Sequence, residues 1–270
     1  MNQFMLYNGE LRPATEPIAS AADRGLRYGD GVFETIKMVN GHMPLLPLHL
    51  DRLTHGLKTL QMPVPGLDTL EKDIRSLCQK NAIIEAARVR VMIFRGHGSF
   101  YAEDTTPPHM VIQAEPLAPA YLALNERGLQ IDVCPGVQKS CDVLANLKSN
   151  NYLPYIMAAL HAQRHQLDDC LVTNVHNRIC DAGIANVFWV QGDTICTPPL
   201  SEGGVAGVMR RYLLQQEGYR FKEMACTEDQ LLQADEVFLT NALYGLRWVE
   251  RFREKVYTCR VAREMYKLIP

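Results

Sequence analysis

The sequence predicts a two-domain chain of α+β/α/β class, and three observations carry that expectation. Its 270 residues suffice for about two domains of ~150 residues each. Apolar residues recur at intervals of two in some segments and at helical intervals in others, so strands and helices are interleaved. The stretch Glu115-Pro116-Leu117-Ala118-Pro119-Ala120 has the proline content of a connection. These observations divide the chain into a smaller N-terminal α+β domain at 1–115, a linker at 116–125 and a larger C-terminal domain at 126–270.

Residues 3–8 (QFMLYN) read as a strand entering a turn at Gly9, and 32–39 as a second strand before an Asn40-Gly41 hairpin turn. Leu50, Leu53, Leu57 and Leu60, then Leu70, Ile74 and Leu77, recur at helical spacing and predict helices over 47–61 and 67–81. Strict alternation at 87–94 (ARVRVMIF) and a short apolar run at 109–114 add two strands. In the second half, 129–134 reads as a strand. Tyr152 to His165 reads as a helix with Leu153, Ile156, Met157 and Leu160 on one face. Strands are expected at 170–175, 184–190 and 236–240, and a helix at 207–217.

An apolar fraction of 47%, a charged fraction of 21% and a net charge of −2 offer no basic field for nucleic acid, which leaves small-molecule chemistry. No stretch approaches the ~18 apolar residues of a membrane span. The opening MNQFMLYNGELRP has neither a basic n-region nor an apolar h-region, so a cytoplasmic location with no membrane partner is expected. The eight cysteines form no C-x-x-C pair and read as reduced, packed thiols. His161 and His165 stand four apart on a helix, but HAQRH has no glutamate and no third ligand, so no metal is expected.

Three segments could carry chemistry. Lys148, in CDVLANLKSNNYLPYIMAALHA, follows a short apolar run and precedes the helix expected to begin near Asn150 or Asn151. An isolated lysine is usually a solvated surface group, but one aimed into a cleft has an amine freed to attack an aldehyde. At 203–214, GGVAGVMRRYLL leads glycines into a helix, whose N-terminal N–H groups attract phosphate. At 179–190, ICDAGIANVFWV sets Asp181 and Asn186 before a β-prone run. A carboxylate beside a pyridine nitrogen keeps it protonated, which lets the ring accept electrons.

In this order and spacing, YNGEL, DRGLRYGDGVFET, HLDRL, LKSNNYL, DAGIANVFWV, GVAGVMR and ADEVFLTNAL resemble the class IV aminotransferases, the fold-type IV pyridoxal-5′-phosphate (PLP) enzymes related to D-amino acid aminotransferase. The resemblance covers nearly the whole chain. It implies a two-domain fold with the active site between the domains, a homodimer, and PLP held as a Schiff base on Lys148. The H-x-x-R-L pattern makes Arg52 the ligand of the cofactor phosphate, together with Gly207, Val208 and Met209 and with Thr240, Asn241 and Ala242. Asp181, with Asn186 beside it, falls where the family usually has a glutamate facing the pyridine nitrogen. Loop 23–31 is the segment the resemblance would send toward a neighbouring subunit's site.

A substrate carboxylate needs a cation, and Arg27, Arg88, Arg90 and Arg95 are the candidates, with Arg88 and Arg90 on one face of strand 87–94. ANVFWVQGDTICTP, LLQADEVFLTNALYGLRWV and RGHGSFY at 95–101 resemble the branch that splits 4-amino-4-deoxychorismate into 4-aminobenzoate and pyruvate. GVFET is common to both branches and Asp181 departs from both. A branched-chain or D-amino acid transaminase therefore stays open, as does a binding homologue that no longer turns over.

Overall fold

The computed structural model describes residues 3–98 and 107–270, so the last three residues of RGHGSFY lie outside the described residues. The chain forms two units, Met1–Ala118 with Leu147–Asn151, and Pro119–Asn146 with Tyr152–Pro270. The short segment 147–151, which carries Lys148, thus belongs with the first unit although the sequence on either side of it belongs to the second.

In the first unit, β1 (Phe4–Tyr7) and β2 (Glu10–Pro13) form a hairpin through Asn8 and Gly9. Both turn residues have positive φ, 50° and 84°, as a type I′ turn requires. A short helix, α1 (Arg24–Tyr28), precedes β3 (Gly31–Val39), whose Asn40-Gly41 turn has φ values of 47° and 76°. Two helices, α2 (Leu46–Thr59) and α3 (Leu70–Lys80), lead to β4 (Ala86–Phe94) and β5 (His109–Pro116). The five strands make an antiparallel sheet in the order β2-β1-β5-β4-β3. Leu53 and Leu57 of α2 and Ile74 and Leu77 of α3 pack on one face of it, against Val32, Ile36, Val89, Val91 and Ile93. Pro116 pairs with Ala87 as the last residue of β5, so the expected linker begins inside a strand. A proline is tolerated there because the ladder ends with it.

The second unit holds β6 (Leu129–Lys139), α4 (Leu153–Arg164), β7 (Asp169–Asn174), β8 (Ile179–Ala182), β9 (Asn186–Gln191) and β10 (Thr194–Thr197). It continues through α5 (Val208–Leu214), β11 (Arg220–Glu223), α6 (Glu228–Leu232), β12 (Glu236–Asn241), β13 (Gly245–Phe252), β14 (Lys255–Val256) and α7 (Arg260–Tyr266). A mixed sheet runs β11-β10-β9-β12-β13-β6-β7-β8, with β14 on β13. Strands β7, β9 and β12 are buried almost throughout, which is why they read as near-continuous apolar runs.

The stripe read on α4 turns outward, and one expectation needs correction. The apolar stripe of α4 does not face the core: Leu153, Ile156, Met157 and Leu160 are 40–66% exposed, and the buried side consists of Tyr155, Ala158 and Ala162. Small residues let the helix lie close against β6 and β7, with Tyr155 filling the remaining space. Lys148 does not sit at a strand-to-helix junction. It lies in an irregular segment paired along β3, where Phe33 N donates to Lys148 O at 2.8 Å and Asn150 N to Gly31 O at 2.9 Å.

Gly31 is required for that pairing. A Cβ there would stand 2.5 Å from Asn150 Nδ2, 2.6 Å from Ile93 O and 2.8 Å from Phe94 Cβ. Gly31→Ala is expected to destabilise the protein by about 1–3 kcal/mol, the cost of overpacking. Urea unfolding measures it; a variant within about 0.5 kcal/mol of wild type contradicts the close packing.

Candidate active site

Side-chain parity along β3 separates two sets of residues. Val32, Glu34 and Ile36 face the helices, and Glu34 is the one charge in that row. From α2, His49 and Arg52, three apart and so on one side of the helix, both reach it. Arg52 grips the carboxylate as a fork, Nε to Oε1 at 2.8 Å and Nη2 to Oε2 at 2.6 Å, and His49 Nδ1 lies 2.6 Å from Oε2. Burial alone would raise the Glu34 pKa, but Arg52 and then His49 outweigh it and hold the carboxyl at about 2. The family-implied phosphate ligand is therefore oriented by a bidentate buried partner.

Phe33 faces the other way. The Lys148 ammonium stands 4.7 Å from the centroid of its ring and the Arg90 guanidinium 4.5 Å from it. Arg90 is brought there by strand register, opposite Thr35. Adjacent residues of β3 thus bring Arg52 and Lys148 to the same end of the strand, one from each face.

The remaining arginines are committed elsewhere. Arg88 pairs with Glu115 across the strands at 2.9 Å in an exposed position. Arg95 ties the end of β4 to Asp30 at 3.2 Å and to the Leu60 and Gln61 carbonyls at 2.6 and 2.9 Å. Arg27 is exposed, with Nε donating to Ala21 O at 2.6 Å.

In the second unit, Asn186 is the organiser. Its Nδ2 donates to Asp181 Oδ1 and to Val205 O, both at 2.8 Å. Asp181 Oδ2 accepts from Val205 N and from the Tyr155 hydroxyl, also at 2.8 Å. Gly207 packs so tightly on Asn186 that a Cβ would collide with its Oδ1, and the β9–β12 register sets Thr240 directly opposite Asn186. Val208 and Met209 form the buried first turn of α5, where N–H groups have no partner within the helix. Asn241 Oδ1 accepts from Leu243 N and Tyr244 N at 3.0 and 3.1 Å, shaping the turn that holds half-buried Ala242.

The class IV amino-transferase family matches residues 31–252, most of the chain. The chain belongs to this family. The aminodeoxychorismate lyase of Vibrio harveyi is 35% identical over 232 residues, 83% of each chain. Among solved structures, the 4-amino-4-deoxychorismate lyase of Pseudomonas aeruginosa superposes with a TM-score of 0.85 at 28% identity, covering 97% of both chains. The branched-chain aminotransferase of the archaeon Thermoproteus uzoniensis has a TM-score of 0.89 at 21% identity, covering 98% of this chain and 92% of its own, which is likeness of fold. The chain is a PLP-dependent lyase or aminotransferase of class IV.

The residues present fit that cofactor. Thr240 Oγ1 is buried with no hydrogen-bond partner among the described residues, and it lies on β12, against which α5 packs. An orphaned hydroxyl and a helix N-terminus reached through close-packed glycine make a donor set suited to phosphate. A buried carboxylate, Asp181, suits a pyridine nitrogen, and a lysine amine suits an aldehyde. Among the described residues no group of His, Cys, Asp and Glu could hold a metal ion, and no helix is long and apolar enough to cross a membrane. The His161 and His165 rings touch in a tilted arrangement, with centroids 4.2 Å apart. All eight cysteines are free and six are buried; burial pushes the Cys78 thiol up to about 11 and those of Cys170 and Cys226 to about 12.

Sequence reading missed Glu34, His49, Lys139 and Tyr155. Glu34 had a signal, a charge at the core-facing parity of an otherwise apolar row. Lys139 and Tyr155 had none, because their partner Asp181 is remote in sequence.

The Glu34 cluster makes stability depend on acid pH. Its folded carboxyl releases its proton near pH 2 instead of 4.5, so the unfolded chain binds more protons between these values. The stabilisation, on the order of 3 kcal/mol, is fully present above the unfolded value and is lost as pH falls toward 2. Urea midpoints measured across this range should fall steeply for wild type and more shallowly for Glu34→Gln; equal slopes would remove the ion-pair account.

Proposed function

We propose that this enzyme is an aminodeoxychorismate lyase, converting 4-amino-4-deoxychorismate to 4-aminobenzoate and pyruvate. The observation that carries this reading is the 35% identity to the Vibrio harveyi lyase across 83% of both chains, set against 25% to the branched-chain-amino-acid aminotransferase of Escherichia coli across 88% of this chain. The shared position of Lys148 and Arg90 beside Phe33 supports it, since an amine next to a carboxylate-binding cation is what an anionic amino substrate needs.

In this reading Arg52, Thr240, Asn241, Ala242 and the Gly207-Val208-Met209 turn hold the cofactor phosphate, and Asp181, fixed by Asn186, holds the ring nitrogen. Bound there, PLP supplies an electron sink for the charge left when a proton is removed next to the substrate nitrogen. Lys148 would hold the cofactor aldehyde through its amine, and the free amine would take the proton from the carbon beside the substrate nitrogen. The electron pair left by that proton forms the new ring double bond as the enolpyruvyl C–O bond breaks; the oxygen departs with its pair, the enolpyruvate takes up a proton to become pyruvate, and the ring is left aromatic. Arg90 binds a substrate carboxylate bidentately and holds the ring carbon near the Lys148 amine. The exposed α4 stripe of Leu153, Ile156, Met157 and Leu160 is an apolar surface suited to a second copy of the chain, which supports a homodimer. The protein acts in the cytoplasm.

The purified protein should be yellow, with a visible absorbance discharged by borohydride and absent in Lys148→Ala. It should release 4-aminobenzoate from aminodeoxychorismate; rapid conversion of the cofactor to its amine form by an L- or D-amino acid, without 4-aminobenzoate, would assign it to the transaminases instead. Arg90→Met is expected to lower kcat/KM about 10- to 150-fold, the value of a charge-assisted hydrogen bond. Arg88→Met should stay near wild type, and equal losses for the two variants would remove Arg90 from the site. Light scattering should report a dimer that Met157→Glu/Leu160→Glu weakens.

A further inference from the structure

Asp181 shares its buried site with a cation. Lys139, the last residue of β6, turns inward and is 7% exposed. Its ammonium donates to the Ala145 carbonyl at 3.0 Å and to the Tyr155 hydroxyl, and lies 3.9 Å from Asp181 Oδ2. The Tyr155 hydroxyl donates onward to the same carboxylate oxygen at 2.8 Å. Three elements, β6, α4 and β8, thus contribute one member each to a chain of ammonium, phenol and carboxylate that solvent does not reach.

The other ionisable groups around it are Tyr152 and Cys180, which act on Tyr155, and Asp169 and Tyr244, which sense the Asp181 charge. Cys141 acts on Cys180, and the nearest further cation the electrostatics name is Arg247, which acts on Tyr244. Burial, reinforced by Asp181, raises the Tyr155 pKa well above the ordinary value, so the phenol keeps its proton and acts as a donor.

We propose that Lys139, acting through the Tyr155 hydroxyl, is a positioning residue that limits how tightly Asp181 holds a proton on the ring nitrogen of bound PLP. This rests on the reading that Asp181 is the partner of that nitrogen. A carboxylate already matched by an ammonium and a phenol attracts a further cation less strongly than a bare one. The same contacts lock the carboxylate rotamer.

The test is reconstitution of the holoenzyme with PLP labelled with 15N in the ring, reading the nitrogen shift across pH. Lys139→Met removes the charge and keeps the length; Tyr155→Phe removes only the hydroxyl; Lys139→Arg keeps the charge. Lys139→Met should move the shift toward the pyridinium value and raise the pH at which the proton is lost, by less than the roughly one to three units of a charge within about 4–6 Å of the titrating group itself, because Lys139 acts through the carboxylate. Tyr155→Phe should move it in the same direction by less, and Lys139→Arg should stay beside wild type. Should Lys139→Met not fold, Tyr155→Phe decides alone. Unchanged shifts in yellow, reconstituted variants overturn the inference and leave the cofactor reading intact. A wild-type protein that PLP cannot reconstitute overturns the cofactor reading, and the inference with it.

Discussion

The pairing of residues 148–150 along β3 is the constraint that seats Lys148. It is made by main-chain groups, Phe33 N to Lys148 O and Asn150 N to Gly31 O, so the Lys148 carbonyl is used and the side chain is directed away from the ladder. A main-chain seat places few demands on side chains but leaves no room for one at position 31. The segment is only five residues long, Leu147–Asn151, and is flanked on the N-terminal side by Asn146. Asn146 fixes the second unit's loop ahead of Gly207, through Nδ2 to Leu200 O and Gly204 O at 2.8 and 2.6 Å and through its carbonyl to Ala206 N at 3.0 Å. The residue that shapes the loop leading to Gly207 is thus two positions from the lysine.

Each unit also buries a carboxylate, and the same physics governs both. An ion removed from water is costly unless its hydrogen-bonding capacity is met inside the protein. Glu34 is met by a guanidinium fork and an imidazole. Asp181 is met by an amide, a phenol and a backbone N–H, with Lys139 behind the phenol. The first arrangement orients Arg52 from the side, and the second holds Asp181 in one rotamer. In neither unit does the functional group rely on its own packing.

The elements most readable in the sequence were those with one dominant signal. The α2 and α3 leucines, the alternation of β4 and the two Asn–Gly turns state their conformations locally, and helices and strands formed within a few residues of the expected bounds. Strands β8, β10, β11 and β13 were not anticipated. They are short, or like GLRWVERF they carry arginine and glutamate, and their pairing comes from distant partners. Helix α4 showed the limit of periodicity, because an apolar stripe reveals a face without revealing what covers it. The Lys148, Arg52, Asp181 and Thr240 assignments rest on the resemblance to the class IV aminotransferases, whose motifs occur here in family order. Lys139 and Tyr155 were not, since a link of 42 residues between Lys139 and Asp181 leaves no local trace.

Membership of class IV fixes the first proton transfer and leaves the second step open. Transamination requires the electron pair left by that transfer to persist until a proton is delivered to a different carbon, and a strongly protonated ring nitrogen serves that wait. Elimination requires much less, because the departing enolpyruvyl oxygen carries electrons away and the product ring becomes aromatic. On the proposed assignment of Asp181, a carboxylate matched by Lys139 through Tyr155 would suit the second demand better than the first. The shorter reach of aspartate acts in the same direction, since a weaker contact with the nitrogen leaves the ring less electron-withdrawing. With Asp181 assigned to the ring nitrogen as proposed, the buried ammonium and the short acid would act together, and a moderate electron sink would suffice because the leaving group supplies the driving force.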